Sequence, residues 1–171
     1  MNTHETSPDI ESLVHQLAST DMAARVTARE ALVELGSAAV PAVADLSSSS
    51  DDHVRWECAK TLAQIADPSS TGTLIQLLED SEEGTRWDAG LGLIAIGQPA
   101  VTPVLRAIIH RSTAYTIIPG ARHVVQEFCK AKWGGFLKPV YAALSSHQAR
   151  ESGPVAAAQA LKEWEYSDLS K

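Results

Sequence analysis

Residues 54–66 read Val-Arg-Trp-Glu-Cys-Ala-Lys-Thr-Leu-Ala-Gln-Ile-Ala, and related copies stand at 24–36 and 85–97, thirty residues earlier and thirty-one later. A repeat of this length is too small to bury its own apolar surface. It has to stack on its neighbours, which is the signature of a solenoid. At about 100° per residue, Val54, Leu62 and Ile65 fall close to Cys58 and form one apolar stripe, so the repeated stretch is an amphipathic helix. Ala28, Leu32 and Leu35 provide the same stripe in the first copy. An all-α solenoid of about five helical hairpins is therefore expected.

Taken in order, 1–9 form a polar lead, and the hairpins occupy approximately 10–39, 40–70, 71–98, 99–132 and 133–164, with a tail at 165–171. The repeat domain is thus 10–164. In the first hairpin Ile10, Leu13, Val14 and Leu17 have helical spacing, and Thr20 or Asp21 caps a second helix that Gly36 stops. Pro41 opens the second hairpin, Ser47 to Asp52 form its turn, and Asp67-Pro68 closes it. Leu74, Ile75, Leu77 and Leu78 mark the third. The fourth is irregular, with a loop expected from His110 to Gly120 and a second helix beginning at Ala121. In the fifth a polar loop from Ser145 to Gly153 precedes a helix opened by Pro154, with Ala157, Leu161 and Trp164 in register.

Composition narrows the partners. A net charge of -7 repels phosphate backbones and argues against nucleic acid and anionic membranes. No run approaches the length of a membrane helix, and the first eight residues lack the regions of a signal peptide. A soluble, reducing, cytoplasmic setting is expected. Cys58 and Cys129 have neither disulfide nor metal spacing.

Asp, a turn, then Val-Arg-x-x-Ala-x-x-x-Leu-x-x-Ile-Gly resembles the second helix of HEAT repeats, in particular the short bacterial form named after phycobilisome lyases. Asp51-Asp52-His53-Val54-Arg55 with Cys58, Leu62 and Ile65 fits closely, while Ile118 and Pro154 replace the arginine in the last two units. The arginines Arg25, Arg55 and Arg86 follow Asp21, Asp51 and Glu82 by four residues and can bridge to their own or the adjacent turn. The resemblance implies a right-handed α-α superhelix and the same structural ladder of acid and arginine along the stack.

Trp56 and Trp87 share a register on the side opposite the core stripe. In HEAT-like arrays the second helices line the concave face, so the pair resembles a recognition ridge. Lys60, Leu91 and Ile94 share its stripe, Glu57 and Asp88 flank it, and His123 matches Lys60. Equally open is that the tryptophans pack on one another or beneath the 110–120 loop. The helix at 85–97 is apolar nearly all round, so something must cover it, and Gly90 and Gly92 imply close approach by a neighbouring helix. His123 and Glu127 could share a face for acid-base chemistry or half a metal site, but such pairs are common surface features.

The expected function is a non-catalytic scaffold that binds another protein or peptide through Trp56, Trp87, Glu57, Asp88, Lys60, Leu91 and His123, with homo-oligomerisation through the same face as a rival. No metal or cofactor is expected. Resemblance alone implies an enzymatic alternative, a phycobilin-lyase-like protein that holds an open-chain tetrapyrrole among Trp56, Trp87 and His123. HEAT-like alkylpurine DNA glycosylases are a third relative, in which Glu57 and Asp88 would face a basic groove, against the charge of this chain. The His-Glu dipeptides of deoxyhypusine hydroxylases are represented only by His4-Glu5, outside the repeats.

Overall fold

The computed structural model describes residues 9–111 and 117–167. Among them are ten α-helices and no strand. First helices are α1 (Ile10–Leu17), α3 (Val40–Leu46), α5 (Thr71–Leu77), α7 (Val101–Arg111) and α9 (Lys138–Leu144). Second helices are α2 (Met22–Leu35), α4 (Asp52–Ile65), α6 (Glu83–Ile96), α8 (Ile117–Phe128) and α10 (Ala149–Glu165). A short 3₁₀ turn joins each hairpin to the next.

The register of the repeat is set at the helix starts. The Asp21 carboxylate accepts from the Ala23 N–H at 2.9 Å, and Asp51 accepts from His53 at 2.9 Å and Val54 at 3.4 Å. These bonds satisfy donors that a helix cannot pair internally. Glu82 occupies the same place before α6 without a capping bond, and Asp80 instead accepts from the Glu82 N–H at 2.9 Å. The helices that follow, α2, α4 and α6, each have fourteen residues. Two of them stop at glycines with positive φ, Gly36 and Gly97, whereas α4 stops at Ala66, which takes the left-handed conformation at φ 52°.

The expected stripe forms the core, with Val54, Cys58 and Leu62 buried alongside Ala28, Leu32, Ala89 and Leu93, and Leu74, Ile75, Leu77 and Leu78 buried beneath. Helices α2, α4, α6 and α8 stack in a row. At Gly92 a Cβ would come within 3.0 Å of the Ala63 Cα and 2.9 Å of the Leu74 side chain. No side chain fits between α6 and its neighbours there, so close helix approach offsets the helix-weakening effect of glycine. Gly90 faces Val124 and His123 of α8 at ordinary contact distance.

The last two hairpins depart from the expected boundaries. Among the described residues helix α8 runs from Ile117, so Pro119 and Gly120 are helical and do not end a loop. Of the expected loop, His110 and Arg111 belong to α7, and 112–116, including Tyr115, lie outside the described residues. Helix α10 begins at Ala149 and contains Pro154. Its entry is closed without the proline, because Gln148 O accepts from the Glu151 and Ser152 N–H groups at 2.9 and 2.8 Å.

Helix α10 packs against its hairpin partner α9 and also against α7, a first helix, so it leaves the row of second helices. Trp164 fixes this placement. It is buried, stacked on Phe136 at 5.1 Å between ring centroids and set 6.0 Å from Trp133, which in turn meets Phe128. Among the described residues no single helix is long and apolar enough to cross a membrane.

Candidate functional site

The arginines of the repeat have one internal job in common. Arg25 Nη1 donates to the Ser19 and Thr20 carbonyls at 2.9 and 3.0 Å, Arg55 Nη1 to Ser49 and Ser50 at 3.2 Å each, and Arg86 Nη1 to Asp80 and Ser81 at 2.8 and 2.7 Å. Each guanidinium thereby braces the turn of its own hairpin. The acids four residues earlier are not the partners, because Asp21 and Asp51 are engaged as helix caps and Glu82 pairs with no arginine among the described residues. Carboxylates come instead from the next hairpin. Arg25 Nε reaches Glu57 at 3.2 Å, and Arg55 Nε and Nη2 reach Asp80 at 2.6 and 3.1 Å. Burial pushes the Asp80 carboxyl upward, yet its bonds from Arg55 and the Glu82 N–H prevail and hold it below the usual range.

Glu57 was expected beside the tryptophan ridge, but it is only 2% exposed. Arg29 Nη1 bonds it at 2.6 Å in addition to Arg25, and His53 Nε2 lies 3.8 Å away. It is a buried inter-repeat tie and does not face a partner. The signal was present in the sequence, since Arg25 and Arg29 share a helix face and two like charges there call for an acid between them. Beside it, burial pushes the Cys58 thiol up to about 12, with the Glu57 charge adding to the effect, so this cysteine stays a neutral thiol.

Trp56 is half-buried within a set of polar neighbours. Its indole lies beside the Asp88 carboxyl group, Lys60 Nζ lies 4.6 Å from its ring centroid, and the His53 ring is 5.4 Å away. A Cβ on Gly84 would touch its ring at 3.4 Å. Trp56, Lys60 and Asp88 therefore form a linked group between α4 and α6.

Trp87 is different. It is 56% exposed and stacks on His123 of α8, with centroids 4.7 Å apart and planes 17° from parallel. Leu91, one turn further, is 39% exposed, while Ile94 is half-buried against the core. The stack forms one wall of a cleft of about 310 Å³ between α6 and α8, which Arg86, Gly90, Pro119, Gly120 and Arg122 also line. His123 Nε2 is shielded from solvent without a hydrogen-bond partner. Glu127 does not complete a pair with His123, because its carboxylate accepts from Lys130 Nζ at 2.6 Å. The two tryptophans thus serve separate groups. Arg122 and the Pro119-Gly120 wall are not legible in the sequence as site residues, because a Pro-Gly pair reads as the end of a loop. Among the described residues no cluster of three or more His, Cys, Asp or Glu side chains could hold a metal ion.

Paired antiparallel helices, a repeated arginine brace and a row of second helices define an α-solenoid. The family model described as HEAT repeats matches residues 10–71 and 46–123, and the chain belongs to the HEAT-repeat family. Among solved structures it is similar to a chain in the complex of CpcE and CpcF of phycocyanin lyase from Nostoc sp. PCC7120. That match has 22% identity and a TM-score of 0.58, and covers 88% of this chain and 96% of the other. A second similar structure is an engineered protein, at 19% identity over 90% of this chain and 78% of that one, with a TM-score of 0.41. No curated protein matches by sequence.

Proposed function

We propose that the chain is a protein-interaction module that grips a partner on the concave face formed by its second helices, with the α6–α8 cleft as the anchoring point. The observation that carries this reading is the exposure of Trp87 together with its flat stack on His123. A large aromatic surface left in water beside Leu91 and held rigid by a neighbouring ring is the kind of group that dominates interface energies. Trp56, Lys60 and Asp88 orient the face from the adjacent group, and Glu57 contributes only through the stability of the stack.

The test is affinity capture from native extract with wild-type protein and the Trp87→Ala variant, each monitored for helicity. A protein retained by wild type and lost with the variant, at unchanged melting temperature, is the expected result. A variant that melts several degrees lower would make Trp87 a packing residue and remove the reading. A second reading draws on the likeness in fold to a phycocyanin lyase chain and on the planar Trp87–His123 pair flanked by Arg86 and Arg122. In it, the cleft seats one end of a tetrapyrrole, with a ring on the stack and a carboxylate on the arginines, and the rest of the molecule lies outside. A visible absorbance band in the wild-type eluate alone would favour it.

A further inference from the structure

The three repeat arginines share a posture with an unequal outcome. Gripping two turn carbonyls through Nη1 fixes the guanidinium and leaves the Nε/Nη2 edge to bond elsewhere. For Arg25 and Arg55 that edge receives a carboxylate from the following hairpin, Glu57 and Asp80 respectively. For Arg86 no described residue accepts from Nε or Nη2. Residues 112–116, Ser-Thr-Ala-Tyr-Thr, contain no acid that could do so. Arg86 lines the α6–α8 cleft, where Arg122 joins it. Glu83 also lines the cleft and forms no ion pair with either arginine among the described residues.

Resting on the reading of this cleft as the partner site, we propose that the Nε/Nη2 edge of Arg86 receives a carboxylate in trans: an Asp or Glu side chain on a segment of a partner protein, with Trp87 taking the neighbouring side chain. The partner completes at the third hairpin what the next hairpin supplies at the first two. Charge distribution agrees. Residues 9–111 hold seven Lys and Arg against fifteen Asp and Glu, whereas 117–167 hold six against four, so the cleft lies where the acidic field of the chain gives way. Size agrees as well, because about 310 Å³ lies at the lower limit of drug-sized ligand sites and accommodates one or two side chains. The acids already bound by this arginine posture are both side chains of protein, which favours a peptide carboxylate over that of a free metabolite.

The probe is a set of three immobilised pools of eight-residue peptides, with Tyr fixed at one central position, Glu, Gln or Lys fixed at the next, and all others randomised. Wild-type protein should bind the Glu pool about tenfold better than the Gln pool, the scale of a charge-assisted hydrogen bond in a sheltered cleft. Arg86→Gln should abolish that preference. Since Arg86 also braces a turn, Arg122→Gln is measured beside it and should reduce the preference without lowering the melting temperature, while Glu83→Gln should increase it. Equal binding of the Glu and Gln pools, still dependent on Trp87, would overturn the carboxylate assignment and leave the interaction module standing. Binding indifferent to Trp87→Ala would overturn both, and no binding by any pool would overturn the carboxylate assignment. Concentration-dependent sedimentation abolished by Arg86→Gln would place the carboxylate on a second copy of this chain and overturn the assignment to a different partner.

Discussion

Asp88 lies between opposing demands. Burial raises its pKa, as does the charge of Glu57, while the Trp56 indole, Lys60 and Arg29 pull it down, and the balance remains above the ordinary value. A carboxyl whose folded pKa is raised holds its proton more tightly in the native state, so its ionisation subtracts stability as pH rises from about 4 through the folded pKa. Asp88→Asn keeps the size of the side chain and a polar oxygen beside the indole, and removes the charge. Melting curves between pH 3 and 8 should show the variant more stable than wild type at neutral pH, by less than about 1 kcal/mol at this partly exposed site. The gap should close as pH falls below about 4. A variant less stable than wild type at pH 7 would show that attraction to Lys60 and Arg29 outweighs burial. The sequence sets Asp88 in the register of Trp56 and Trp87, but its approach to the Trp56 indole depends on α4 and α6 lying side by side.

At the scale of the element, the repeat is held by turns braced from within and tied to the next hairpin. Glu57 is the most buried of these ties, between Arg25 and Arg29, whose side chains are 11% exposed. Glu57→Ala leaves two largely covered guanidinium groups without their carboxylate and should cost about 3 kcal/mol, read as a lower urea midpoint. Arg25 keeps its carbonyl partners, so most of the loss should trace to Arg29, and Arg29→Met introduced into Glu57→Ala should recover part of it. A loss below about 0.5 kcal/mol would place Glu57 among surface pairs of little consequence. The helices themselves were legible because stripe, cap and stop coincide in three copies. The ties were not, because repeat spacing says where a turn lies and does not say which side chain of the next hairpin enters it. The helical residues ahead of Gly120 and Pro154 are illegible for a related reason, since a proline limits the backbone only where its N–H is needed.

For the whole molecule, the departure of α10 from the row of second helices creates two mechanical regions. Hairpins one to three stack through α2, α4 and α6, while the fifth is anchored on α7 through α10, with the aromatic cluster around Trp164 fixing its near end. Trp164→Ala should cost about 3–5 kcal/mol locally. In a stacked array such a loss need not spread, so amide exchange should accelerate across α9 and α10 while α2 and α4 keep their protection. Uniform acceleration would instead make the chain one cooperative unit. The α6–α8 cleft lies near the join, where the regular stack ends. By itself the sequence determined the solenoid, its register and its core stripe, because a pattern copied three times averages over local ambiguity and apolar periodicity acts within each helix. Only the tertiary structure decided which acid meets which arginine, which tryptophan stays exposed, and that Arg86 and Arg122 share a cleft. Those outcomes depend on the distance and rotation between neighbouring helices, which are fixed by packing at contacts such as Gly92 against Ala63 and Leu74 and are written in no single helix.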